Sequence, residues 1–131
     1  MAAMIDAELI LCQDVDTAAT VTSSVLDLGH NKVLKPLYID VKLTQGVTAG
    51  RVKSVELQTG ADENFSAPIT EMVVTVGKTA EQQKRACQLA QFFAAIQPQG
   101  RYVRLVITGD TAAPAGGKLW AYLSPDIQVP L

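Results

Sequence analysis

Charge is scarce in this chain. Asp, Glu, Lys and Arg make up 18% of its 131 residues, against about a quarter in ordinary soluble domains. A lightly charged surface suits a protein that packs against others. The formal net charge of -2 argues against general nucleic-acid binding, which needs a basic surface to displace counterions from phosphates. Histidine occurs once, as His30, which excludes His-cluster metal centres and leaves Ser-His-Asp catalysis a single candidate base. That residue lies in Gly29-His30-Asn31-Lys32, a polar stretch between apolar segments, where a solvated side chain is expected. Cysteine occurs twice, as Cys12 and Cys87, with no CxxC and no Cys/His cluster. Zinc's usual ligand set is therefore missing, and two free, buried thiols are expected rather than a bridge. Neither phosphate-binding glycine motif is present: Gly116-Gly117 lacks the following Lys-Ser/Thr and reads as a flexible connection. No apolar run approaches the ~20 residues of a membrane helix. The first twelve residues carry Asp6 and Glu8 and no basic residue, unlike a secretory signal. A soluble, cytosolic protein is expected.

The chain does contain a clear record of strands. Its length is that of one domain, able to bury roughly two-thirds of the surface its unfolded chain exposes. Residues 37–44 alternate, with Leu37, Ile39, Val41 and Leu43 on one side and Tyr38, Asp40 and Lys42 on the other. Residues 101–108 repeat the pattern, setting Val103, Leu105 and Ile107 against Tyr102, Arg104, Val106 and Thr108. In 118–124, Leu119, Ala121 and Leu123 oppose Trp120 and Tyr122. Such period-two segments are strands with one buried face. Further strands are expected at 7–12, 21–28, 51–59 and 69–76. The stretch 57–70 ends one of these strands, with Val55, Leu57 and Thr59 sharing a face. It then turns through Gly60, Asp62, Asn64 and Pro68, with a single Phe in the turn. Seven or eight short strands separated by Gly/Pro turns predict an all-β fold, a two-sheet antiparallel sandwich or jelly roll. Its expected core includes Leu26, Ile39, Val41, Val55, Leu57, Val74, Val103, Leu105, Leu119 and Leu123.

Residues 79–96 admit two readings. Helix formers run throughout, and Thr79 with Gln82 fits a capping box, so propensity favours a helix to about Ala95. The alternative is one short helical turn near residues 80–85 followed by a buried strand over 87–94, since strand pairing overrides propensity in β-rich domains.

Weak candidates for chemistry each have a plainer explanation. Asp14-Val15-Asp16 lacks the ligand count and glycine of a calcium loop and reads as turn-forming aspartates, as does Asp62-Glu63. Trp120 and Tyr122, with Tyr38 and Tyr102 as possible neighbours, suit cross-strand packing or a protein interface better than a sugar-stacking platform. Arg101 and Arg104 around Tyr102 read as surface charge balance. The expectation is a protein that is not an enzyme and that uses no cofactor or metal. From the residues alone, the chain is a soluble all-β domain whose role is not written in its chemistry.

The order of segments resembles the capsid cement (decoration) proteins of tailed bacteriophages, the small jelly-roll group of the type found on a short-tailed Bordetella phage. The matching pieces are Asp6-Ala7-Glu8-Leu9-Ile10, Val25-Leu26-Asp27-Leu28-Gly29, Pro36-Leu37-Tyr38-Ile39-Asp40-Val41 and the stretch from Leu57-Gln58-Thr59 to Ser66-Ala67-Pro68. Gly100-Arg101-Tyr102-Val103-Arg104-Leu105 follows, and Gly116-Gly117-Lys118-Leu119 to Asp126-Ile127-Gln128 closes the series. The resemblance implies a strand before Arg-Tyr-x-Arg-Leu, which favours the second reading of 79–96. It also implies a single domain over 1–131 with short terminal arms, made in the bacterial host cytoplasm and placed on the outer surface of the capsid. Its partners would be the major capsid protein and further copies of itself, as a dimer or trimer, with neither nucleic acid nor membrane. Interface residues are expected in the arms (Met4, Ile5, Asp6, Pro125, Ile127, Val129 and Leu131) and on the aromatic face (Tyr38, Trp120 and Tyr122). The competing expectation is a carbohydrate-binding jelly roll of a phage or bacterial surface protein, using Trp120 and Tyr122.

Overall fold

Alternating apolar and polar residues give each strand one side to bury, and two sheets facing each other satisfy both sides at once. The computed structural model describes residues 10–28, 35–96 and 100–124. His30 and the expected arm residues, Met4, Ile5, Asp6, Pro125, Ile127, Val129 and Leu131, lie outside these. The described elements are β1 (Ile10–Asp16), β2 (Thr20–Thr22), β3 (Leu26–Asp27), β4 (Lys35–Gln45), β5 (Val52–Gly60), β6 (Ile69–Thr75), a 3-10 turn (Gln82–Lys84), β7 (Cys87–Ile96), β8 (Tyr102–Gly109) and β9 (Lys118–Ser124).

One sheet runs β1-β9-β4-β7; the other runs β2-β8-β5-β6, with β3 also on β8. Every pairing is antiparallel. With β2 and β3 taken as two pieces of one interrupted strand, successive strands alternate between sheets except at the β5–β6 hairpin. This is the eight-strand order of a jelly roll. Between the sheets, Ile39, Val41, Val55, Leu57, Val103, Leu105, Leu119 and Leu123 are each exposed by 1% or less. Leu26 and Val74, also expected in the core, are only partly buried because they sit on edge strands, β3 and β6.

Segment 79–96 forms one helical turn and then a ten-residue strand. The capping box is made reciprocally: Thr79 N–H donates to Gln82 Oε1 at 2.8 Å, and Gln82 N–H donates to Thr79 Oγ1 at 3.2 Å. Gln83 stops the turn from extending by serving the sheet instead. Its side chain is fully buried, accepting from Val52 N–H at 2.7 Å and donating to Val52 O at 2.9 Å and Lys78 O at 3.0 Å. A single amide thereby pairs both backbone groups of a strand's first residue.

Two local expectations change. Asp14 and Asp16 stand within β1 rather than in a turn. Asp14 has φ 50° where the register with β9 shifts between Cys12 and Val15, and Asp16 forms an ion pair with Lys118. Gly116-Gly117 is not a loose connection. Gly116 has φ +80° and a Cβ there would lie 2.5 Å from Thr48 Oγ1. Gly117 is buried and exchanges hydrogen bonds with Thr17, through Oγ1 at 3.2 Å and N–H at 3.1 Å.

Candidate functional site

The outer face of the β1-β9-β4-β7 sheet gathers most of the chain's outward-pointing rings. β4 contributes Tyr38, Asp40 and Lys42, the residues left over when its apolar set turns inward. Register then fixes their neighbours. Tyr38 faces Phe93 of β7, Asp40 faces Gln91 of β7 and Tyr122 of β9, and Lys42 faces Gln88 and Trp120. The Tyr38 and Phe93 rings meet edge to face, with centroids 5.2 Å apart and planes at 71°. Phe93 is 58% exposed, the most open large apolar side chain among the described residues.

Asp40 lies at the centre of this face, and it is buried, only 6% exposed. Its carboxylate is fully engaged by neighbours: Gln88 Nε2 donates to Oδ1 at 2.9 Å and Tyr122 Oη donates to Oδ2 at 2.8 Å. Burial, the hydrogen bond to Asp40 and the nearby negative charge push the Tyr122 phenol up to about 12. Tyr38 is raised in the same direction, by burial and then by Asp40. Both phenols therefore stay neutral at physiological pH, and Tyr122 is a fixed donor rather than an acid. The Lys42 ammonium lies 5.7 Å from the centroid of the Tyr122 ring, a cation–π distance. The result is a flat face of rings whose central polar groups are already paired with one another.

The structure thus brings together three expected interface residues, Tyr38, Trp120 and Tyr122. Tyr102 does not join them. It lies on β8 in the opposite sheet, beneath the Arg101 guanidinium at 5.1 Å. Arg101 itself makes a bidentate pair with Asp27, at 2.7 and 2.8 Å. Arg104 lies over Phe65 at 4.1 Å and donates to Gln58 Oε1 at 2.8 Å. Gln58 and Thr70 both donate to Glu56 at 2.7 Å, and these bonds hold the Glu56 carboxyl below its ordinary range. This second outer face is a web of cross-strand hydrogen bonds, consistent with charge balance. Within the 57–70 stretch, Asp62 acts as the turn acceptor, its Oδ1 receiving Ser66 Oγ at 2.8 Å.

Phe93 is the participant that sequence reading missed. Adjacent phenylalanines on a regular strand must point to opposite faces, so Phe92-Phe93 signals one exposed ring once 87–96 is known to be a strand. Among the described residues, no group of three or more His, Cys, Asp or Glu gathers as a metal site. No family model and no curated protein matches the chain.

Proposed function

We propose that this chain is a capsid decoration protein, binding the outside of a phage head and bridging major capsid protein subunits. The observation that carries the reading is the outer face of the β1-β9-β4-β7 sheet, where Tyr38, Phe93, Trp120 and Tyr122 surround an acid already satisfied by Gln88 and Tyr122. Such a face can be covered by another protein with little desolvation cost, because the buried carboxylate needs nothing from the partner. The resemblance of the segment order to decoration proteins adds the kind of partner, and the jelly-roll strand order agrees with that group's fold.

The carbohydrate reading has less support from the same face. A sugar platform needs open ring faces beside free polar groups, whereas the Tyr122 hydroxyl is committed to Asp40 and Lys42 approaches its ring. Quantitative mass spectrometry of purified heads from a phage encoding this chain tests the proposal. A fixed stoichiometry to the major capsid protein is expected. Absence from the heads, together with specific binding on a glycan array, would favour the sugar reading instead.

A further inference from the structure

A shallow groove runs beside the first half of β7, between that strand and the segment that leads into it. Four consecutive residues, 88–91, line it. Successive side chains of a strand point to opposite faces, so the groove follows the strand's edge rather than either face. Among the described residues β7 pairs only with β4, and this edge is open. The bulge at Leu89, between the Val41–Ala90 and Lys42–Gln88 pairs, interrupts the regular ladder that another strand would need. What the groove offers a partner is therefore its side chains.

Those side chains are cationic. Lys78, Lys84 and Arg85 line the groove against one carboxylate, Glu81, although the chain as a whole carries a net charge of -2. Glu81 is taken by Lys84 at 3.0 Å. Lys78 and Arg85 make no ion pair among the described residues. Burial raises the Cys87 thiol, and the Lys78 charge offsets part of that rise, so this ammonium acts on the groove. Two amides beside the cations are half used. Gln82 spends its oxygen on Thr79 N–H, and Gln88 spends its nitrogen on Asp40. One donor group and one acceptor are left over. The wall opposite β7 is fixed in place: Arg51 donates to Val76 O at 2.9 Å and Lys78 O at 3.3 Å, and Gln83 is buried beneath. A ligand therefore meets a preorganised site.

We propose that this groove binds an extended acidic peptide, its carboxylates on Lys78 and Arg85 and its backbone amides against Gln82 and Gln88. Residues 87–91 of the strand span about 15 Å, room for about five extended residues. The charge of the lining selects an anion, and the amides select a peptide. Gln88 Oε1 needs a donor, which a peptide N–H supplies and a phosphate backbone does not. The net negative charge of the chain also opposes a long polyanion such as nucleic acid. The inference stands on the groove alone and is independent of the capsid proposal.

Fluorescence anisotropy of the full chain with a labelled hexapeptide of alternating Glu and Val tests it. Saturable binding that weakens with added salt is expected, with none for the matching Gln and Val peptide. Lys78→Gln and Arg85→Gln together should raise the dissociation constant about ten-fold. Arg101→Gln removes a cation from the other sheet, at the strand end where Tyr102 pairs with Gly60, and should leave the constant unchanged. The peptide should also slow alkylation of Cys87 by iodoacetamide, since Cys87 lines the same groove. That protection locates the site in the wild-type chain without any substitution. No binding, equal binding of the neutral peptide or of a thymidine hexanucleotide, indifference to the double substitution, or an unchanged Cys87 rate would each overturn the proposal.

Discussion

Tyr122 donates its hydroxyl to Asp40 across two adjacent strands at 2.8 Å, and this bond helps hold a carboxylate on the outside of a sheet at only 6% exposure. A hydrogen bond to a charged group contributes about 1.5–3 kcal/mol. Tyr122→Phe should therefore destabilise the domain by about that amount in urea unfolding. The phenol's pKa is about 12 when folded and about 10 when unfolded. Between these values the folded state holds the proton more tightly, so its contribution is complete below pH about 10 and is lost as pH rises toward 12. Unfolding midpoints measured across that window should fall for the wild type and less steeply for Tyr122→Phe.

Gln83 offers a test of the core polar pairing. Its amide serves Val52 N–H and Val52 O together, and both would be left unpaired in a buried site by Gln83→Leu. A loss of about 2–4 kcal/mol is expected in thermal or urea unfolding, one to two buried groups at their usual cost. Gln83→Glu should be at least as harmful, because a carboxylate cannot donate to Val52 O and Lys78 O.

The two thiols should behave differently although neither is bridged. Cys12 is 2% exposed and burial pushes its pKa up to about 11, so little reactive thiolate forms. Cys87 is half-buried at the start of β7. A thiol reagent at pH 8 should label Cys87 in the folded protein and reach Cys12 only on unfolding, for a total of two without reductant.

Much of this architecture was legible because period two is a direct signal of a half-buried strand. Leu37 to Leu43, Val103 to Ile107 and Leu119 to Leu123 turn inward as their alternation requires. Period does not say which sheet a strand joins, which is why Tyr102 and Tyr122 share a pattern yet lie on opposite outer faces. The helix-prone letters of 79–85 were a true local preference, expressed as one capped turn and then overridden when Gln83 was drawn into the sheet. Phe93 stayed hidden because its orientation depends on that same undecided segment. The Asp14 bulge had no signal either: an aspartate with positive φ suits a turn as well as a strand irregularity.

Cosedimentation with capsid shells tests the central claim most directly. If the chain decorates a phage head as proposed, expanded shells of that phage's major capsid protein should retain the purified protein, and the loaded shells should resist heat or mechanical rupture better than bare ones. Isolated capsid subunits should bind far less, because a single site offers no avidity. Folded protein that binds neither shells nor lattice fragments would contradict the account.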